Sequence, residues 1–221
     1  MKPTGRGYRA PRCEECGLTP DACICSELPK TPSSVTTSFV VHFREWNKPT
    51  NTAKLASLLL GQSARVLLRG SPDVERAERA ETELESLDHP LGLVLYPSDD
   101  AIRLEELIER DGVSRWSQAQ LVVPDGTWSQ SRRLVRRTPA LARLPHIQLG
   151  VRRSSYHLRR KAEPGFLCTL EAVGYALTLL DPAFDLPSYL AAFEQWQHRA
   201  LLRRWGKIPD FARADAFSGD P

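Results

Sequence analysis

No stretch of this 221-residue chain approaches the roughly 18 consecutive apolar residues that a membrane span requires. Its opening residues, MKPTGRGYRA, lack the apolar core of a secretory leader, so a cytoplasmic location is expected. No internal repeat is visible, which argues against a fibrous architecture. Net charge is only +3, too small by itself to imply a nucleic-acid partner. Cysteine is scarce: there are 5, and four of them fall between positions 13 and 25. A disulfide-stapled secreted scaffold is therefore a poor description. What remains is an ordinary globular balance, 41% hydrophobic and 26% charged, long enough for one full domain and a small appendage.

The near-neutral total hides a polarised chain. Residues 131–161 hold ten Lys or Arg and no acid, whereas 71–111 hold thirteen acids against four arginines. The basic block is nearly all arginine: Arg132, Arg133, Arg136, Arg137, Arg143, Arg152, Arg153, Arg159 and Arg160, with Lys161. Guanidinium groups match phosphate geometry, and the four-residue spacings in 132–137 put arginines on adjoining strips of one helical face. A phosphate backbone is the natural counterpart. The plainer alternative is a solvated surface.

Short apolar runs alternate with helical patterns. Strands are predicted at 37–43, 64–69, 91–96, 119–124 and 146–149. Helices are predicted at 51–60, from Ser71 to about Leu87, and at 101–110, 127–137, 169–180 and 188–206. This alternation argues for an α/β domain with a largely parallel sheet flanked by helices. Residues 1–30 read as a small loop-rich module, 31–210 as the main domain and 211–221 as a loose tail. In parallel sheets ligands bind beyond the carboxyl ends of strands. The segments 43–52, 96–100 and 124–128 are therefore the places to seek a site.

Cys13, Cys16, Cys23 and Cys25 form C-x2-C-x6-C-x-C. Four thiols so close can converge on one tetrahedral ion, and an all-thiolate set suits structural Zn²⁺; an iron–sulfur cluster is the minor rival. Cys168 stands apart in an apolar stretch and reads as a packed residue. PDGTW (124–128) follows an apolar strand directly. Pro124 ends the strand, Gly126 permits a tight turn, Thr127 can cap a helix, and Asp125 would lie at the mouth of the sheet. In CTLEA (168–172), Thr169 is expected to cap and Glu171 to favour the positive helix end. HFREWNKPTNTA (42–53) brings His42, Arg44, Glu45 and Asn51 near a third strand end. Each motif alone is also explained by caps and core; together with the arginine face they carry more weight.

In combination, R-x3-C-x2-C-x6-C-x-C (Arg9 to Cys25), H-x2-E…TNTA (His42 to Ala53), LYPS-x2-A (95–101), DGTW (125–128) and TLEA (169–172) resemble the DTW-domain family, from about Arg9 to about Tyr189. The resemblance implies a tRNA-uridine aminocarboxypropyltransferase with a fold similar to SPOUT-type RNA methyltransferases, including a probable C-terminal trefoil knot. It implies S-adenosylmethionine as co-substrate, whose 3-amino-3-carboxypropyl arm moves to N3 of a tRNA uridine while 5′-methylthioadenosine leaves. CTLEA stands where STLEA is common in the family, a change that keeps size and weakens one donor.

On that resemblance Asp125 is the expected general base or orienting group for uridine N3. The donor is expected against Tyr96, Pro97, Pro124, Gly126, Thr127, Trp128, Cys168, Thr169 and Glu171. Arg44 or Arg159 would meet the arm's carboxylate and Glu171 its ammonium; Trp128 would stack on a base or fill the core. RNA contact is expected from Arg44, Arg132, Arg133, Arg136, Arg137, Arg152, Arg153, Arg159 and Arg160. The partner is tRNA, with no membrane, and the chain is a monomer or a homodimer. The rival functions are a methyltransferase of the same fold and a non-catalytic zinc-bearing RNA-binding protein.

Overall fold

A computed structural model describes residues 11–85, 87, 89–158 and 167–206. Six strands form one sheet: β1 (Thr36–His42), β2 (Ala64–Arg69), β3 (Gly92–Leu95), β4 (Ile102–Arg103), β5 (Gln120–Asp125) and β6 (His146–Gln148). Their order is β2-β1-β5-β3-β6-β4, and every pairing is parallel. The central strands are covered on both faces, as parallel sheets require. All six residues of β5 are buried, as are five consecutive residues of β1, whereas only one residue of the edge strand β2 is. Pairing of β3 with β5 stops at Val122, two residues before Pro124, which has no N–H to offer.

The connections are helical: α1 (Phe43–Trp46), α2 (Thr52–Leu60), α3 (Val74–Glu85), α4 (Leu104–Asp111), α5 (Val113–Trp116), α6 (Trp128–Arg137), α7 (Pro139–Arg143), α8 (Thr169–Leu180) and α9 (Leu186–Trp205). One sheet face packs Val40, Leu67, Val94 and Val122 against Leu84, Leu134, Ala140 and Leu141, from α3, α6 and α7. The opposite face buries Phe39, Leu93, Leu121 and Val123 against α2, α4, α5, α8 and α9. Cys16, Leu18, Ile24 and Leu28 belong to this second core, so the cysteine-bearing segment shares the apolar cluster of the main domain. Among the described residues no helix is long and apolar enough to cross a membrane.

The α/β expectation with a parallel sheet holds. Three local readings change. The helix expected from Ala101 begins at Leu104, because Ile102 and Arg103 pair with β6 as an edge strand. Cys168, not Thr169, is the N-cap of α8. The one-turn helices α1, α5 and α7 were not legible, since four or five residues are too few for periodicity to show. The tail 211–221 lies outside the described residues.

The C-terminus of α8 is tied to the entry of β1 through Asp181. Its carboxylate accepts from the Ser33 hydroxyl and the Ser34 amide, each at 2.8 Å, and from the Ala183 amide at 3.2 Å. Burial alone would raise this carboxyl, but the Ser34 amide and Ser33 hydroxyl outweigh it and hold the group below the ordinary carboxylate range. A group depressed in this way adds stability above its unfolded value of about 3.9, and the gain is lost as pH falls through the folded value. Asp181→Asn should therefore cost about 1–3 kcal/mol at neutral pH and much less at about pH 3. Urea unfolding at both pH values checks this; an equal penalty at both contradicts it.

Candidate functional site

Three chain segments far apart in sequence meet beyond the carboxyl ends of β1 and β5. Asp125 is the last residue of β5, paired in register with Val41 of β1 and only 6% exposed. Its Oδ2 accepts from Asn51 Nδ2 at 2.7 Å and its Oδ1 from the Thr169 hydroxyl at 2.5 Å. Asn51 does two things at once. Its Oδ1 accepts from the Lys54 amide at 2.7 Å, capping α2, so the amide group is already oriented when its Nδ2 reaches the carboxylate. Thr169 is the first residue of α8. The carboxylate is thereby clamped between the N-termini of two helices.

A cleft of about 200 Å³ opens over this corner, walled by Glu45, Lys48, Thr50, Asn51, Thr127 and Tyr156 among others. Glu45 and Lys48 form an ion pair at 2.6 Å on its rim. The Tyr156 hydroxyl donates to the Thr50 carbonyl at 2.7 Å, closing the 150–158 loop over the 47–51 loop. The volume lies below the ~300–1000 Å³ of sites that engulf drug-sized ligands. It suits a single base or an alkyl arm.

Glu171, 2% exposed, holds the loop from beneath. Its carboxylate accepts from the Ser154 hydroxyl (2.6 Å), the Ser155 amide (2.6 Å) and hydroxyl (3.0 Å), and the Cys168 amide (2.8 Å). Those four donors use the acceptor sites that an ammonium group would need. Cys168 is buried and completes a capping box with Glu171, and burial pushes its thiol well above the usual range. Tyr156 and Leu158 entered no sequence motif, whereas Thr50 opens TNTA. Asn51 was placed near the third strand end, but nothing in the sequence tied it to Asp125 across 74 residues.

The DGTW turn leads into α6. Thr127 is the N-cap, with its amide donating to Gln130 Oε1 at 2.7 Å. Gly126 is required for space rather than for backbone conformation: a Cβ there would lie 3.0 Å from Gln130 Cβ. Trp128 is 49% exposed and sits 6.4 Å from the Tyr96 ring, outside the cleft wall. Tyr96 in turn meets His146 edge-on. Pro97 is likewise absent from the cleft wall, and Pro124 is buried within β5.

Arg132, Arg133, Arg136 and Arg137 are all exposed along α6, and no ion pair or hydrogen bond is described for them among the described residues. Arg44 and Arg153 are exposed as well. Arg152 is half-buried and has partners within the chain, 3.6 Å from Glu105 and over the Tyr175 ring at 4.7 Å. Arg159 and Arg160 lie outside the described residues.

The sulfur atoms of Cys13, Cys16, Cys23 and Cys25 all lie within 4.8 Å of one another, and the set could hold one metal ion. Burial works against the Cys13 thiol ionising, but the amides of Cys16 and Glu15 outweigh it and bring it down to about 7. Burial, followed by the neighbouring sulfurs, pushes Cys25 up. Four converging thiols cannot all become thiolates without a cation among them. The loop is fastened to the main domain. Trp196 Nε1 donates to the Cys16 carbonyl (2.8 Å), Arg199 to the Cys23 carbonyl (2.9 Å) and Lys54 to the Glu14 carbonyl (3.1 Å). Gly17, at φ +75°, lies so close to Pro49 that a Cβ would come within 3.1 Å of its carbonyl oxygen.

A family model described as the DTW domain matches residues 10–203. Three curated relatives are each named tRNA-uridine aminocarboxypropyltransferase 2. The Drosophila melanogaster protein is 32% identical over 181 residues, covering 80% of this chain and 70% of that protein. Those of Macaca fascicularis and Mus musculus are each 29% identical, over 183 and 184 residues, covering 81% of this chain and 59% of each relative. The chain thus spans about three fifths of the mammalian relatives it matches. No solved structure matches significantly.

The Glu171 arrangement has a direct test. Glu171→Gln turns an amide donor toward donors and should cost about 1–3 kcal/mol in denaturant unfolding. It should also speed hydrogen exchange at the Ser155 and Cys168 amides. Unchanged exchange at both would show that the carboxylate does not hold the loop.

Proposed function

This chain belongs to the DTW-domain family, and on that premise we propose that it is a tRNA-uridine aminocarboxypropyltransferase whose reaction runs at the Asp125 corner. S-adenosylmethionine supplies an activated three-carbon arm on a sulfonium. N3 of uracil bears a proton and attacks only as that proton is removed. The bond formed is N3–C, the bond broken is that carbon's bond to sulfur, whose pair stays on sulfur, and 5′-methylthioadenosine leaves. Asp125 is assigned to the N3 proton. The observation that carries this is the clamped carboxylate, fixed in direction by Asn51 and Thr169 and open to the cleft.

The sulfonium offers more than one carbon, so the outcome depends on which one is held in line with the acceptor. Lys48, on the cleft rim, is a fitting partner for the arm's carboxylate and its neighbour Glu45 for the ammonium. Glu171 then acts indirectly, by fixing Ser154 and Ser155. Trp128, with Tyr96 beside it, provides an aromatic surface for the extruded base or the donor's adenine. Arg44, Arg132, Arg133, Arg136, Arg137 and Arg153 supply the cationic surface for tRNA. Gly126, Thr127 and Thr169 line the donor's approach. We further read the fold as SPOUT-related with a C-terminal trefoil knot; residues 159–166 lie outside the described residues.

For the metal we infer zinc. A tetrahedron with Zn–S bonds of ~2.3 Å has S···S edges of about 3.8 Å. The Cys13–Cys25 and Cys16–Cys23 separations are 3.5 and 3.8 Å. All four positions are sulfur, which suits a stabilising ion and leaves no open position for a reacting water.

Two tests follow from these assignments. Asp125→Asn should lower turnover by roughly 10²–10⁴-fold, the usual worth of a general base, while tRNA affinity stays at the wild-type value. Wild-type turnover would remove Asp125 from the chemistry, and nucleoside mass spectrometry identifies the group transferred. The native chain should carry one zinc. Cys25→Ser should lose it and shift tryptophan emission to the red as the Trp196–Cys16 contact opens. A zinc-free variant with native emission and thermal stability would contradict a structural role.

A further inference from the structure

The segment that carries Asn51 is gripped by the cysteine loop at two points, one on each side of Asn51. Before it, Gly17 packs on Pro49: with φ at +75°, a Cβ there would stand 3.1 Å from the Pro49 carbonyl oxygen, 3.3 Å from its Cα and 3.5 Å from its carbonyl carbon. All three are backbone atoms, so the loop could not yield by turning a side chain. After it, Lys54 Nζ donates to the Glu14 carbonyl at 3.1 Å. The amide of the same Lys54 is the donor that Asn51 Oδ1 accepts at 2.7 Å. The residues after the cysteines hold the other end of α2, where Lys30 Nζ donates to the Leu58 carbonyl at 3.0 Å and the Thr31 amide to the Leu59 carbonyl at 2.8 Å. Glu14 and Gly17 directly follow Cys13 and Cys16, whose sulfurs converge with those of Cys23 and Cys25. The loop is therefore most constrained where it touches the Asn51 segment. Its far side is anchored to α9 by Trp196 and Arg199.

We propose that Gly17 and Lys54 are positioning residues for the transfer reaction: backed by the cysteine loop, they set the N-terminus of α2 and so the direction from which Asn51 holds Asp125. The inference rests on the assignment of Asp125 to the N3 proton, and it gives the four-cysteine loop a part in turnover as well as in stability. Neither Gly17 nor Lys54 belongs to the wall of the cleft, so an effect of either on the reaction has to pass through the 49–54 segment. The path is short. Asn51 lies two residues from Pro49 and three from Lys54, and its Nδ2 reaches Asp125 Oδ2 at 2.7 Å. A displacement of about 1 Å would carry that pair beyond the ~2.7–3.2 Å of an N–H···O bond. Misplacement of about that size, even from a change far from the chemistry, costs roughly 10²-fold in rate. The Asp125 side chain would then keep the Thr169 hydroxyl as a partner and lose the amide that fixes its other oxygen.

The test compares the metal-loaded full chain with Lys54→Met, Gly17→Ala and Gly206→Ala. Single-turnover transfer to tRNA, tRNA affinity, and hydrogen exchange at the Lys54 backbone amide and the Asn51 side-chain amide are measured for each, the exchange without substrates. Lys54→Met keeps the apolar stem and the backbone amide and removes only the donor to Glu14. Gly206, at φ +70°, has nothing within 4 Å of a Cβ, so Gly206→Ala carries the strain of a left-handed alanine without a clash. Lys54→Met and Gly17→Ala should slow turnover about 10–100-fold and speed exchange at both amides, with tRNA affinity within about twofold of wild type. Gly206→Ala should leave all three readouts at the wild-type values. Metal content and thermal melting establish that each variant is loaded and folded, and Lys54→Met keeps the test open should Gly17→Ala lose its ion. Wild-type turnover in Lys54→Met overturns the proposal, as does slowed turnover with unchanged exchange at Asn51. A parallel loss of tRNA affinity in Lys54→Met would make it an RNA contact and overturn the positioning role. Failure of the transfer reading itself would appear separately, as a wild-type chain that yields no modified nucleoside while the exchange data still report whether the loop holds Asn51.

Discussion

A single carboxylate, buried at the end of the central strand and held from both sides, organises the functional end of this molecule. Asp125 touches the helix cap that starts α2 and the first residue of α8, so any shift in either helix moves the group that faces the cleft. Burying a charge is costly unless its acceptor sites are met. The sheet geometry meets two of them with Asn51 and Thr169. The parallel topology explains why these partners are available. Strands β1 and β5 are neighbours, their successors leave at the same edge, and the helix that starts there brings its N-terminus to the same corner.

Behind the corner, the cysteine loop serves as a buttress. Gly17 abuts Pro49, two residues before Asn51, and Lys54 of α2 reaches back to the Glu14 carbonyl. Trp196 and Arg199 of α9 hold the carbonyls of Cys16 and Cys23. A metal bound by the four cysteines would stiffen a loop that lies directly beneath the segment carrying Asn51. A second brace works from the other side, where Glu171 secures Ser154 and Ser155 and Tyr156 locks onto the Thr50 carbonyl. The cysteine loop and the serine loop thus both support the cleft, and Tyr156 of the latter forms part of its wall.

Much of this was legible before the structure. The period of the apolar residues located the five longer strands, and α8 begins and ends where expected, because each has a strong local signature. The convergence of DGTW, TNTA and TLEA also followed, since all three sit where ligand-side strand or helix ends should be. Other features depend on long-range pairing, which leaves no mark on periodicity. Ile102 and Arg103 become a strand only because β6 lies beside them. Asn51, placed by its motif near a strand end, gains its partner only when Asp125 lies against it. Glu171 read as an acid suited to the positive helix end and to the donor's ammonium, yet Ser154 and Ser155 donate to it from a distant loop. Arg152 looked like one more member of a basic surface, and Glu105 with Tyr175 draws it inward. Burial and partner geometry, rather than residue type, separate the arginines of α6 from that one.

The central claim is that a uracil ring lies in the cleft with its N3 edge toward Asp125. A crystal structure of the chain with a non-reactive S-adenosylmethionine analogue and a uridine-containing oligonucleotide tests it most directly. The account predicts an Asp125 oxygen within hydrogen-bonding reach of N3, about 2.6–3.2 Å, with the three-carbon arm approaching that same exposed N3 edge, where the lone pair left by the proton points. A uracil bound with N3 turned away from Asp125, or with the donor's methyl group in the arm's place, would contradict it.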